Sequence, residues 1–592
     1  MSAATQRIST AGARMIASPR GRLLLAALLA ALQAALLVSS ARGNSDTVDE
    51  DTYLPAAGIL WAHRDFSVNL APVLPKWAFA LAMRAVDRSL DDTPPTMNAA
   101  EEHVLWYGGR SRLERVLLAA RLTTVAVTVL AGLALWRTAS RWGPASGLVA
   151  HALWCFSPTV LAAGALATLD AWLTAMVVGL TWATVRIVER PSGARALTMG
   201  LFSGLALACK VTALGAVGVA ALAAAWAVGR RNHDPGRPPT RVLALLLTVV
   251  LGASITLWAV YGFTVGPVRS QGTEGVATAI ADRLPPMPFP VWIQTLLVGI
   301  STGARGHRSY LFGQTSISGW WWFYLANLAL KTTIGAQALG LLLVATWRAR
   351  RPRGRALLAD VGLLAYPVLL VVAMSAGRAQ LGIRYILPSF PGVMLWAGRT
   401  FPALASLVPP WGSRAGTIAL LAGIAGSVVV HPHYLMFFNS WAGGPAEGPR
   451  YLLAGDAIGQ DQKRLGEWHA QQGLTFIYYT WYSGRPEIWG VSYADPPCRS
   501  RAGVYALEVS EVHRPRRIEA GCLDWLTADP PDSRLGSTIY LYQVTRERAR
   551  RLRRECRPPH PFWRSGPPPE TCPSDEPAER RREPSPVAGR EP

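Results

Sequence analysis

Adjacent carboxylates at Asp49 and Glu50 stand shortly past the end of an apolar stretch, residues 23–41, that follows a basic N-terminal segment. A third acid, Asp170, stands near the mouth of another apolar stretch. Charges at a membrane boundary are costly, and acids kept there mark substrate paths, proton relays or reaction sites. A carboxylate within reach of a hydroxyl can take its proton and make it a nucleophile. Asp49 is the first candidate for that base, with Glu50 beside it. Asp170 is placed to orient an acceptor or the first-loop acid. The plainer readings are a solvated acidic loop that includes Asp46 and Asp51, and a charge suited to a helix N-terminus at position 170.

The elements that must hold these acids are set by composition. Half of the 592 residues are hydrophobic and only 16% are charged, unlike a single soluble globule. The apolar residues cluster in blocks of about 18–25 residues, the length that crosses hydrocarbon as a helix. The blocks are 23–41, 116–136, 144–162, 166–188, 197–209, 211–229, 242–264, 320–346, 356–374, 383–400 and 413–432. They predict an α-helical polytopic membrane protein of about eleven transmembrane helices, with 197–209 and 211–229 as two short helices. The first block competes with a signal peptide, since Arg14, Arg20 and Arg22 precede it and it ends in the small residues Ser39-Ser40-Ala41. It is longer than a typical signal core, which favours an uncleaved helix.

Basic residues mark alternate connections: Arg137 and Arg141; Arg186, Arg190 and Arg195; Arg230, Arg231, Arg237 and Arg241; and Arg348, Arg350, Arg351, Arg353 and Arg355. The positive-inside rule places these and the N-terminus in the cytoplasm. The protein is then expected in the cytoplasmic membrane, with loops 42–115 and 265–319 and the chain after 432 facing outward. The net charge of +22 reads as topology plus a basic tail. No basic-aromatic motif supports nucleic-acid binding.

Three domains are expected: a transmembrane part over 1–432, a small extracytoplasmic α/β domain over 433–545, and a disordered Pro/Arg-rich tail over 546–592. In the outward loops, Pro75–Met83 and Val291–Leu297 read as amphipathic, interfacial helices. In the α/β part, 459–472 reads as helix, and Thr475–Tyr482, Gly503–Val509 and Thr538–Val544 read as strands. Cys155 and Cys209 fall in apolar blocks as small core residues. Cys498, Cys522, Cys556 and Cys572 are compatible with disulfides, Cys498 to Cys522 among the options. No Cys/His spacing resembles a zinc site, no cofactor is identified, and the sequence leaves a divalent-metal requirement open.

Several stretches together resemble the polyprenyl-phosphate-sugar-dependent glycosyltransferases of the GT-C fold, the group of protein O-mannosyltransferases and aminoarabinose transferases. They are Asp49-Glu50-Asp51-Thr52-Tyr53-Leu54, Phe156-Ser157-Pro158 through Thr168-Leu169-Asp170, and Gly204 through Lys210. Gly319-Trp320-Trp321-Trp322 with Lys331-Thr332, Arg384-Tyr385-Ile386-Leu387-Pro388, and His433-Tyr434-Leu435 through Gly459-Gln460-Asp461 follow in order. The chain departs from the pattern at Ala71-Pro72-Val73-Leu74, Ala162-Ala163 and Ala457-Ile458.

The resemblance implies sugar transfer from a polyprenyl-phosphate carrier to a protein, lipid or polysaccharide acceptor at the outer membrane face, with a carboxylate base. The leaving phosphate needs fixed cationic partners. Arg384 leads the candidates because a guanidinium grips phosphate in bidentate fashion. Lys76, Lys210, Lys331 and Arg378 also fall near outward boundaries, where a cation can equally be snorkelling to the interface. No Walker-type glycine loop is present, in keeping with a lipid-linked donor. Two other classes compete: a lipid or glycan transporter or flippase, although no internal repeat is evident, and a catalytically silent assembly factor.

The expected orientation has a direct check. In intact cells a membrane-impermeant thiol reagent should label Cys498 or Cys522 after mild reduction. A cysteine introduced within 230–241 should stay unlabelled until the membrane is broken, and the reverse pattern would invert the topology.

Overall fold

Each apolar block of the sequence carries helix in the computed structural model, which describes Met15 and residues 18–231, 240–407, 409, 411–481, 484–514 and 521–555. The first helix, α1 (Pro19–Gly43), begins at Ser18, whose hydroxyl accepts the Gly21 amide at 2.9 Å. Next, α2 (Val48–His63) carries Asp49, Glu50 and Asp51 in its first turn, where the helix dipole favours anions. The amphipathic stretch expected at Pro75–Met83 forms α3 (Leu74–Val86). The long α4 (Gly109–Ala139) runs antiparallel to α1, with Arg121 at the Ala41 carbonyl and Val125 in the cluster around Leu37.

Two pairs of helices are broken. After α5 (Pro144–Cys155) the chain bends by 60° into α6 (Pro158–Gly164). Ser157 caps α6 and Pro158 holds its first position, so the ring cannot continue the preceding helix. Then α7 (Leu169–Glu189) starts with Asp170 in its first turn. The blocks at 197–209 and 211–229 are separate helices, α8 (Gly193–Leu207) and α9 (Ala213–Arg231). Gly200 and Gly204 bring α8 against α10 (Thr240–Val260): a Cβ at either would stand 2.6 Å from a backbone oxygen of α10. Small residues four apart allow this close approach of helices. The stretch at Val291–Leu297 lies in α11 (Pro290–Arg305).

Residues 320–346, expected as one span, are α12 (Phe323–Lys331) and α13 (Ile334–Arg350), bent by 113°. The break falls at Thr332-Thr333, and the Thr333 hydroxyl caps α13 by accepting the Ala336 amide. The remaining membrane helices are α14 (Gly354–Ala376), α15 (Phe390–Thr400), which follows a 3₁₀ turn over Ile383–Ser389, and α16 (Trp411–Val428). Among the described residues, five helices are long and apolar enough to span a membrane alone, and counting each bent pair as one span gives seven. The other blocks of the expected eleven carry helices that are too short or too polar to span a membrane alone by that measure. The chain is a polytopic helical membrane protein.

A three-stranded antiparallel sheet stitches the loop over 265–319 to the C-terminal part. Its strands are β1 (Ser309–Leu311), β2 (Gln314–Ser316) and β3 (Leu452–Leu453), with β1 in the middle. Beyond it, α17 (Gln462–Gln471) packs on a five-stranded mixed sheet of β4 (Ile477–Thr480), β5 (Tyr493–Ala494), β6 (Gly503–Glu508), β7 (Ser533–Leu535) and β8 (Ile539–Val544). The spatial order is β5-β4-β6-β8-β7. Leu465, Ile477, Tyr479, Ala506, Ile539 and Leu541 form its core. Cys498 and Cys522 are disulfide-bonded, while Cys556 and Cys572 lie outside the described residues.

The expected disordered tail is corrected at its start, because Arg546–Glu555 is a helix, α18. Ala549 and Leu552, three apart, bury one face of it, and Arg548 bonds Asp532 and Asp529. These contacts offset its otherwise unfavourable charge. The rest of the tail lies outside the described residues.

Candidate active site

The N-terminus of α2 is tied to the segment before α17. Ser45 and Val48 donate their amides to the Gln460 and Ile458 carbonyls at 3.0 and 3.2 Å, and the Ser45 hydroxyl donates to Gly459 O. This seats Asp49 and Glu50 between the membrane helices and the C-terminal part. The neighbouring acids are not a solvated patch. Asp46 is buried and accepts the Trp489 indole N–H at 3.1 Å. Burial raises the carboxyls of Asp46 and Asp51 above the ordinary range, Asp51 further because Asp46 lies beside it.

Asp49 and Glu50 have different surroundings. Glu50 is fully buried, with Arg121 gripping both its oxygens at 2.7 Å. The Ala167 amide and the Thr47 hydroxyl each donate to it at 2.8 Å. Asp49 instead pairs with Arg384 and keeps 19% of its side chain accessible. Arg384 sits in the 3₁₀ turn before α15, where Gly382 holds φ +86° and faces the Ala454 carbonyl so closely that a Cβ would stand 2.0 Å from it. The Arg384 Nε is buried and has no hydrogen-bond partner among the described residues.

Two further ion pairs flank this one. Lys210 Nζ lies 2.7 Å from Asp170 and 3.9 Å from the centroid of the Tyr385 ring. Lys331, at the bend between α12 and α13, lies 2.9 Å from Asp456 and 3.9 Å from the Phe438 ring centroid. Asp170, Lys331, Arg384 and Asp456 together line one small cavity of about 40 Å³, with Thr159 and Thr168. Lys331 also lines an apolar groove of about 550 Å³ between α12, α13, α14 and α15, walled by side chains such as Leu328, Leu343, Val371 and Met394. The Tyr53 phenol, held protonated by burial and then by Asp49, belongs to the same charged neighbourhood.

Two candidate cations lie elsewhere. Lys76 is buried in α3 and donates to the Val68 and Asn69 carbonyls at 3.1 and 2.7 Å, holding the loop before it; burial lowers its pKa to about 7. Arg378 is exposed and donates to the Ala304 carbonyl at 3.5 Å. Sequence reasoning missed Arg121 and Asp456. Arg121 had a signal, since an arginine inside an apolar block needs a partner. Asp456 had none beyond its place shortly before Gly459-Gln460-Asp461.

A family model described as dolichyl-phosphate-mannose-protein mannosyltransferase matches residues 113–258. The likeness to glycosyltransferases with polyprenyl-phosphate donors, read from scattered motifs, is thus matched by a contiguous stretch of sequence. No curated protein matches. Among solved structures, ArnT from Cupriavidus metallidurans bound to undecaprenyl phosphate is 13% identical, with a TM-score of 0.44 over 88% of this chain and 98% of that one. The Saccharomyces cerevisiae Pmt1-Pmt2 complex bound to the sugar donor is 15% identical, with a TM-score of 0.33 over 40% of this chain and 32% of that one. The Archaeoglobus fulgidus oligosaccharyltransferase is 12% identical, with a TM-score of 0.39 over 83% and 70%.

The two first-loop acids should separate experimentally. Glu50→Ala or Arg121→Ala leaves an uncompensated buried charge, which costs about 3–5 kcal/mol. Each should lower the melting temperature of the detergent-purified protein sharply, whereas Asp49→Asn should leave it nearly unchanged. Equal melting of all three variants would contradict a structural role for the Glu50–Arg121 pair.

Proposed function

We propose that the protein moves a sugar from a polyprenyl-phosphate carrier to an acceptor hydroxyl, with Asp49 as general base and Arg384 and Lys331 as the phosphate clamp. The observation that carries this reading is convergence: a cavity lined by Arg384 and Lys331 adjoins an apolar groove through Lys331, and the Arg384 Nε is buried and unspent. A lipid-linked phosphate matches that arrangement, with its chain in the groove and its head at the cations. In the reaction the acceptor oxygen bonds the anomeric carbon as the bond from that carbon to the phosphate oxygen breaks. The hydroxyl proton passes to Asp49, and polyprenyl phosphate leaves with the electron pair.

Glu50 is a poor base here because its oxygens already accept four hydrogen bonds; it positions α2 instead. Arriving phosphate competes with Asp49 for Arg384, and a carboxylate relieved of its ion pair is the stronger base. Asp170, neutralised by Lys210, is placed to orient the acceptor or the first-loop acid. The basic connections favour a site on the outer face of the cytoplasmic membrane, with the N-terminus inside and the C-terminal sheet outside. Lys76 and Arg378 are not part of this clamp.

The test is turnover by purified protein with a panel of polyprenyl-phosphate sugars. One should be consumed, and Asp49→Asn should slow it by about 10²–10⁴-fold. Arg384→Ala should raise the donor KM more than the acceptor KM, with Lys recovering only part of the loss. Transfer from a soluble nucleotide sugar without polyprenyl phosphate would overturn the donor assignment. Undiminished transfer by Asp49→Asn combined with Asp170→Asn would overturn the carboxylate-base assignment, and no transfer from any donor in the panel would favour a transporter or assembly factor.

A further inference from the structure

Arg121 contributes to the wall of a second cleft, which the transfer chemistry does not use. Two adjoining clefts of about 490 and 510 Å³ open where the C-terminal end of α1, the N-terminal end of α4 and α17 meet, and they share Arg42 and Lys463. Ala35 and Val38 of α1 and Leu117 and Leu118 of α4 form their apolar walls. Both helices are among those long and apolar enough to span a membrane, and they run antiparallel. The basic rim therefore sits at a membrane boundary with hydrocarbon-facing walls on one side of it.

The charge balance of the rim is uneven. Glu114 is matched by Lys463 at 3.0 Å and by Arg110 at 3.1 Å, and Glu467 by Arg110 at 2.9 Å. Asp461 is matched by Arg464. All five N–H donors of Arg121 are spent on Glu50 and on the carbonyls of Ala41, Asn44 and Ser45. Arg42 and Arg115 remain: both are exposed, both line the 490 Å³ cleft, and neither forms an ion pair among the described residues. Two unpaired guanidiniums above apolar walls match a phosphate attached to acyl chains, because the fork binds phosphate oxygens in bidentate fashion and the walls receive hydrocarbon.

We propose that this cleft binds an anionic phospholipid of the surrounding leaflet, with the phosphate between Arg42 and Arg115 and acyl chains along Val38 and Leu118. The site is separate from the Arg384 cavity and does not depend on the reaction assigned to it. The probe is native mass spectrometry of the full-length protein in detergent, titrated with phosphatidylglycerol or phosphatidylcholine. Phosphatidylglycerol should be retained preferentially. Arg42→Gln with Arg115→Gln should weaken that retention about tenfold or more, the double lysine variant should restore part of it, and Arg384→Ala should leave it unchanged.

Equal retention of the two lipids, or no effect of the double glutamine variant, would overturn the proposal. Complete displacement by millimolar inorganic phosphate would also overturn it, by making the cleft a free-anion site. Should the glutamine variant fail to fold, a photoreactive phosphatidylglycerol on the unmodified protein decides the matter. Crosslinks to α1 and α4 peptides support the site, and crosslinks confined to other helices refute it.

Discussion

The buried bond between Glu50 and Arg121 is the constraint on which the rest of the site depends. Neither group is tolerable alone in a low-dielectric interior, so their pairing fixes where α2 begins relative to α4. The same guanidinium takes the last carbonyls of α1, and the same carboxylate takes the Ala167 amide just ahead of α7. The end of α1, the start of α2, α4 and the segment before α7 therefore share one hydrogen-bonded knot. Asp49 is aimed at Arg384 because its neighbour in sequence is held so firmly, and Asp170 stands close by because the start of α7 is held by the same knot.

Around this knot the charges are arranged as pairs: Asp49 with Arg384, Asp170 with Lys210, Lys331 with Asp456. Each brings an acid and a base from separate segments of the chain together. A single unpaired charge there would be expelled or neutralised, so mutual compensation is what lets polar chemistry sit beside hydrocarbon. It also explains why every cation near the cavity already has a partner, and why an incoming anion must compete for one.

Much of this was readable in the sequence because hydrocarbon imposes a length and a composition. The apolar blocks became helices, and the motif acids and Arg384 came together at one level. The breaks were harder. Residues 320–346 look like one span by hydropathy, yet the Thr332-Thr333 pair offers a capping hydroxyl and the chain turns there. Asp49 and Glu50 were inseparable because their side chains diverge only when a helix forms, about 100° apart, and the arginine that distinguishes them lies 71 positions further on. The strands β5 and β7, two and three residues long, carry too little alternation to be seen. In α18 the dense charge masked the spacing of Ala549 and Leu552.

The sharp bend between α12 and α13 has a consequence for how the site is reached. Because α12 turns away, a slot opens sideways between α13, α14 and α15, with Val368 and Val372 facing outward along it. For the lipid-linked donor proposed above, that slot gives entry without leaving the hydrocarbon, so its encounter with the cations becomes a search in two dimensions. Its rate then follows the number of such molecules per unit area of membrane and the fluidity of the bilayer. The aqueous solubility of the lipid, which is negligible, never enters.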